Sequence, residues 1–124
     1  MLLPEAKCSI FIMEKEFYFS KSDLAKFGNI TEFQEQMGRD FFKWYGNVMA
    51  DGALTAREKS LIALAVAHAI QCPYCIDAYS TESLKQGCDE EQMMEAVHVA
   101  AAIRAGTSLV YGVQMMNHVK EKTM

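Results

Sequence analysis

Apolar residues recur along this chain at intervals of three and four, and Val/Ile alternation is scarce. That periodicity predicts helices rather than strands. Ser22-Asp23-Leu24 opens a short helical turn that ends at Gly28. Phe33, Met37, Phe41, Trp44 and Val48 form one longer stripe, with Thr31 as its expected cap and Gly38 as a soft spot. Ala50-Asp51-Gly52 reads as a turn. The clearest helix start is Thr55-Ala-Arg-Glu58, a capping box in which the Thr and Glu side chains satisfy each other's backbone donors. The segment behind it, REKSLIALAVAHAI, is rich in the best helix formers. From Leu61 to Ile70 it is apolar all round except at His68, which predicts a central, buried helix.

Pro73 marks the next boundary. It disfavours a helical Cys72 and suits the first position of a new helix. The expected helix covers about 73–86, with Cys72 as its cap and Gly87 as its stop. Asp89 and Gln92 form a second capping-box pair, with Cys88 and Met93 placed as a hydrophobic staple. That helix should run to about Ala105, break at Gly106-Thr107, and be followed by a last helix over SLVYGVQMMNHVKEK. The fold class is therefore all-α, a compact bundle of five to six helices. Residues 1–17 are an N-terminal arm whose order the pattern leaves open, and 18–124 form a single helical domain.

The totals narrow the partners. The chain has 124 residues, 51% of them apolar, which is enough for one domain with its own core. A net charge of −4 with no basic run argues against nucleic acid or an anionic membrane as the main partner. The longest apolar stretch, Leu61 to Ala67, is far short of the roughly 20 residues of a membrane span. The N-terminus lacks the pattern of a signal peptide, so the expected location is the cytoplasm. Four cysteines in that compartment suggest reactive or metal-binding thiols rather than structural disulfides.

Two of them lie in HAIQCPYCIDAY, residues 68–79. C-P-Y-C is the active-site tetrapeptide of glutaredoxins, but that fold needs a strand before the motif and a cis-proline after it. Here an Ala-rich capped segment precedes the motif, and no proline follows Pro73. What carries over is the physics. A cysteine at a helix N-terminus meets free N–H groups and the positive end of the helix dipole, which favour the thiolate. A second cysteine three positions on can close a disulfide.

Bland alternatives stay open. His68, Cys72 and Cys75, with Cys88 or His98, could form a zinc site, or the thiols could be inert and buried. Glu58 is either only a capping residue or also a site carboxylate. His68 is either a satisfied core histidine or a base, since it precedes the chain reversal by about as much helical rise as Cys75 follows it. Tyr79 either packs or donates a hydrogen bond one turn beyond Cys75. His98 is either a hydrogen-bonded histidine or a site neighbour from the next helix. The FFKWY segment reads as core or as the wall of a cleft.

Across LTAREKSLIALAVAHAIQCPYCIDAYSTESLKQGCDEEQMMEAVHVAAAIRAG the chain resembles the alkylhydroperoxidase D-like, C-x-x-C branch of the carboxymuconolactone decarboxylase superfamily. The resemblance covers about Tyr18 to Met116. It implies an all-helical fold assembled as a homotrimer or homohexamer. It also implies a thiol-dependent peroxidase or disulfide reductase, with Cys75 attacking the peroxide and Cys72 resolving. No metal or dissociable organic cofactor is implied, and an external dithiol protein would be the reductant. A decarboxylase-like lyase and a non-catalytic metal-binding or structural oligomer are the alternatives. The relatives' relay is a Glu twelve positions before the first cysteine and a His four after the second. Those positions are Ser60 and Tyr79 here. His68 is then the preferred base, with Glu58, Tyr79 and His98 as the other candidates.

Overall fold

A computed structural model describes residues 19–124. The arm expected over 1–17 lies outside the described residues. Among the described residues, five α-helices and one 3-10 turn follow in order: α1 (Lys21–Leu24), the 3-10 turn (Phe27–Thr31), α2 (Glu35–Met49), α3 (Ala56–Ala69), α4 (Pro73–Lys85) and α5 (Glu90–Thr123). Among the described residues there is no strand. The chain divides into two compact units, one ending at Asp40 and the other running Phe41–Met124.

In the first unit, Thr31 does not cap a helix as the pattern suggested. Its hydroxyl turns back to Gly28 O at 3.0 Å, inside the 3-10 turn. α2 starts later, at Glu35. Gly38 is buried because the chain passes so close that an added Cβ would lie 2.6 Å from Thr31 Cγ2.

The second unit is organised around α3, which packs against both α4 and α5. The capping box of α3 forms as its sequence predicts: Glu58 N–H donates to Thr55 Oγ1, and Thr55 N–H donates to Glu58 Oε1. α3 buries one stripe, Ser60, Leu64 and Ala67, at helical spacing. The rest of its apolar surface stays open, with Ile62 49%, Val66 51% and Ile70 66% exposed. Burial on all sides, expected from the composition of this helix, is not reached: among the described residues its main packing is against α4 and α5.

α3 ends in a Schellman motif. Cys72 N–H reaches back to Ala67 O and Gln71 N–H to His68 O. Gln71 takes the left-handed conformation, φ 56°, usually left to glycine. α4 ends the same way around Gly87, φ 83°, with Cys88 N–H on Ser83 O and Gly87 N–H on Leu84 O. Cys88 is buried.

α5 opens on the Asp89–Gln92 capping box and continues for 34 residues without the break expected at Gly106-Thr107. A mid-helix glycine costs only about 1 kcal/mol. The hydroxyl of Thr107 also folds back onto Ile103 O instead of opening a new cap. Two arginines fasten the first half of α5 to α3. Arg57 donates to Gln92 Oε1 at 2.7 Å, and Arg104 donates to Ala69 O, at the C-terminal end of α3, at 2.6 Å. Beyond Arg104 the helix is exposed along nearly its whole length, including Leu109, Val110, Val113 and Met116. By length and composition alone α5 is apolar enough to cross a membrane.

Candidate dithiol site

The turn between α3 and α4 builds the site. Cys72 is the second residue beyond the cap of α3 and also the N-cap of α4, so one residue ends one helix and starts the next. Pro73 follows at the first helical position, where its missing N–H costs nothing. The Cys72 sulfur takes the place of a capping hydroxyl and accepts from Cys75 N–H at 3.4 Å. The two sulfurs lie 2.7 Å apart and are not bonded. A disulfide needs about 2.05 Å, so closing one requires little movement.

The shared proton decides which sulfur can carry negative charge. Either thiol could donate to the other across this short contact. The N–H groups of Cys75 and Tyr74 both point at Cys72, so when the pair gives up a proton they favour the charge on Cys72 over Cys75. The Cys72 thiol is held below its ordinary range, first by donation from the Cys75 thiol, which outweighs the opposing cost of burial, and then by those two N–H groups. Cys75 is pushed up to about 11, first by burial, then by donating its proton to Cys72 and by the charge there.

Cys72, Cys75 and Tyr79 fall at i, i+3 and i+7, one stripe of α4. The Tyr79 hydroxyl is hydrogen-bonded to the Tyr45 hydroxyl, which comes from α2. Tyr45 is half-buried, and its ring packs on Phe41 one turn earlier, with centroids 5.5 Å apart. Its phenol is raised above the ordinary tyrosine value by burial, then by the charges of Cys75 and Cys72. Tyr45 belongs with the dithiol, although the sequence shows it only as one aromatic among several in FFKWY. The Phe41–Tyr45 spacing of four was the available signal, but it does not say what the phenol meets.

The remaining candidates are placed elsewhere. Glu58 is exposed and its carboxylate is engaged with Thr55, whose N–H and hydroxyl hold it below the usual carboxylate range. His68 is half-buried, and its Nδ1 donates to Leu64 O of its own helix at 2.8 Å. The ring therefore serves α3 through one nitrogen and keeps only Nε2 for other work. His98 is exposed on α5. Ser60 is fully buried and donates to Arg57 O at 2.7 Å. Among the described residues no three His, Cys, Asp or Glu side chains come together as a metal site would require.

The sequence model of the carboxymuconolactone decarboxylase family matches residues 35–117, which spans α2 through most of α5. A Paracoccus denitrificans protein known as uncharacterized protein 4 in cox locus is 50% identical over 64 residues. That match covers 52% of this chain and 58% of the relative, so the chain spans little more than half the length of that protein. A crystal structure of a protein from Methanobacterium thermoautotrophicum superposes with a TM-score of 0.67 at 32% identity, covering 69% of this chain and 97% of the other.

Proposed function

Because the chain belongs to the carboxymuconolactone decarboxylase family, and because it sets two sulfurs 2.7 Å apart at the start of a helix, we propose that it is a thiol-dependent peroxidase or disulfide reductase. The sulfur pair carries this reading. In the reaction, a thiolate attacks the O–O bond of a hydroperoxide and becomes a sulfenic acid. The second thiol displaces hydroxide from it to give the disulfide. An external dithiol protein then restores the pair, which suits a reducing compartment such as the cytoplasm. No bound cofactor enters this cycle.

Resemblance and electrostatics disagree about the order of the thiols. The resemblance gives the attack to Cys75 and resolution to Cys72. The hydrogen bonds make Cys72 the more acidic thiol of the pair, with Cys75 the one that keeps its proton. The Glu and His that would serve the second cysteine are replaced by Ser60 and Tyr79. We therefore assign the attack to Cys72 and disulfide closure to Cys75. A lyase of the decarboxylase kind would draw on Glu58 and His68, and the engagement of Glu58 with Thr55 and of His68 with Leu64 O favours the dithiol. The open faces of α3 and α5 fit a homo-oligomer in which copies of the chain cover Ile62, Val66, Leu109 and Val113.

Free-thiol counting with one equivalent of tert-butyl hydroperoxide tests the reading. Loss of two of the four thiols, with Cys72 and Cys75 linked in peptide mass spectra, is expected. Cys72→Ser and Cys75→Ser variants separate the roles: a sulfenic acid should accumulate on Cys72 in C75S. Four thiols surviving the peroxide would refute the peroxidase.

A further inference from the structure

Cleavage of an O–O bond by a thiolate releases an alkoxide, which needs a proton at once. The residues that would manage protons in the relatives are not at their positions here. Ser60 is buried with its hydroxyl committed to Arg57 O. The other position is Tyr79, whose hydroxyl is bonded to Tyr45. Two phenols joined by one hydrogen bond use one proton between their oxygens. The accepting phenol keeps its own O–H free to donate, and accepting makes it the better donor. Tyr79 lies on the α4 stripe that carries both cysteines, while Phe41 fixes the ring of Tyr45.

We propose that Tyr45 and Tyr79 act together as the proton-transfer arm of the dithiol site, a role that rests on the peroxidase reading above. The steps balance as follows. Cys72 thiolate and a hydroperoxide give the Cys72 sulfenic acid and an alkoxide. A phenol O–H of the pair protonates the alkoxide to the alcohol and becomes a phenolate, held by the other phenol. The phenolate takes the proton of the Cys75 thiol. Cys75 sulfur attacks the sulfenic sulfur, the S–S bond forms, and hydroxide leaves. The peroxide is reduced to alcohol and hydroxide, and the dithiol is oxidised by two electrons.

Electrostatics agree with this direction of proton flow. Burial and the two sulfurs raise Tyr45, so it stays protonated and ready to donate at neutral pH. Cys75 is pushed up to about 11 first by burial and then by its bond to Cys72 and the charge there; the last two are relieved once Cys72 is a neutral sulfenic acid, which eases passage of its proton to a phenolate.

The test compares two oxidants that differ in their need for a proton. An alkyl hydroperoxide leaves as alkoxide and must be protonated; a peracid leaves as carboxylate and need not be. Stopped-flow rates of thiol loss are measured with tert-butyl hydroperoxide and with peracetic acid, for the unaltered chain, Tyr45→Phe and Tyr79→Phe. General acid catalysis contributes about 10²–10⁴-fold, so the ratio of the hydroperoxide rate to the peracid rate should fall at least about tenfold in both variants. Equal slowing with the two oxidants would mean that the tyrosines only hold the site together and would overturn the proposal. An unchanged ratio at unchanged rates would overturn it as well. If the unaltered chain loses no thiols to either oxidant, the peroxidase reading falls, and the proton arm with it.

Discussion

Ser60 and Ser83 are a matched pair, and replacing each with alanine weighs one buried hydrogen bond against one missing bond. Both are fully buried, 0% exposed, inside helices that pack on each other. The Ser60 hydroxyl donates to Arg57 O. The Ser83 hydroxyl finds no partner among the described residues. Ser-to-Ala gains about 0.5 kcal/mol of helix propensity at either site. At position 60 the lost hydrogen bond costs about 1 kcal/mol, leaving a net loss of about 0.5 kcal/mol. At position 83 the substitution removes an unsatisfied group whose burial costs about 1–3 kcal/mol, so with the propensity gain Ser83→Ala should stabilise by about 2.5 kcal/mol. For a chain of this size each kcal/mol moves Tm by about 4 °C, which puts the gain near 10 °C. Urea denaturation followed by far-UV circular dichroism, at one fixed protein concentration, measures both variants. The difference between them cancels the propensity contribution. A Ser83→Ala variant less stable than the parent by 1 kcal/mol or more would refute the reasoning, since the hydroxyl would then have a partner outside the described residues.

Three further outcomes are expected. With iodoacetamide, Cys72 should alkylate from below the ordinary thiol range, while Cys75 should resist until the pH approaches 11; peptide mapping across a pH series would reject this if Cys75 reacted first. Gly87→Ala should lose about 1–2 kcal/mol by forcing a side chain into the left-handed region, and Gln71→Gly should gain about 0.5 kcal/mol by relieving the same strain; thermal melts decide both. Glu58 is held below the ordinary carboxylate range in the folded chain, so its contribution is present above the unfolded value and lost as pH falls through the folded one. Thr55→Ala, which removes the hydroxyl but leaves the backbone N–H, should reduce that loss of stability in acid titrations.

Three of the helix starts were legible because their signals are local, whereas the start of α2 was misplaced at Thr31. Thr55 with Glu58, Asp89 with Gln92, and Cys72 with Pro73 each fix a boundary within four residues, and the structure places all three as the sequence predicts. The dithiol was legible for the same reason. Features set by distant neighbours were not. Gly106-Thr107 has the local look of a break, but one glycine is too weak to end a helix whose hydrogen bonds continue on both sides. The composition of α3 gives no hint of which face one chain can cover, and only the Ser60–Leu64–Ala67 stripe is closed. His68 was read by rise along the chain, which cannot show its ring bonded to Leu64 O. The partnership of Tyr45 with Tyr79 joins residues 34 apart in sequence, beyond any periodic pattern.

Cys72 holds the first turn of α4 with the same sulfur that the chemistry would consume. Redox state and helix stability are therefore thermodynamically linked. The N–H groups that favour the thiolate favour the reduced protein, and a disulfide sulfur is a poorer acceptor for them. Stabilising the reduced form makes the oxidised form the stronger oxidant. In a glutathione redox buffer the couple should sit on the oxidising side of an uncapped dithiol, and reduction should tighten the start of the helix that carries it.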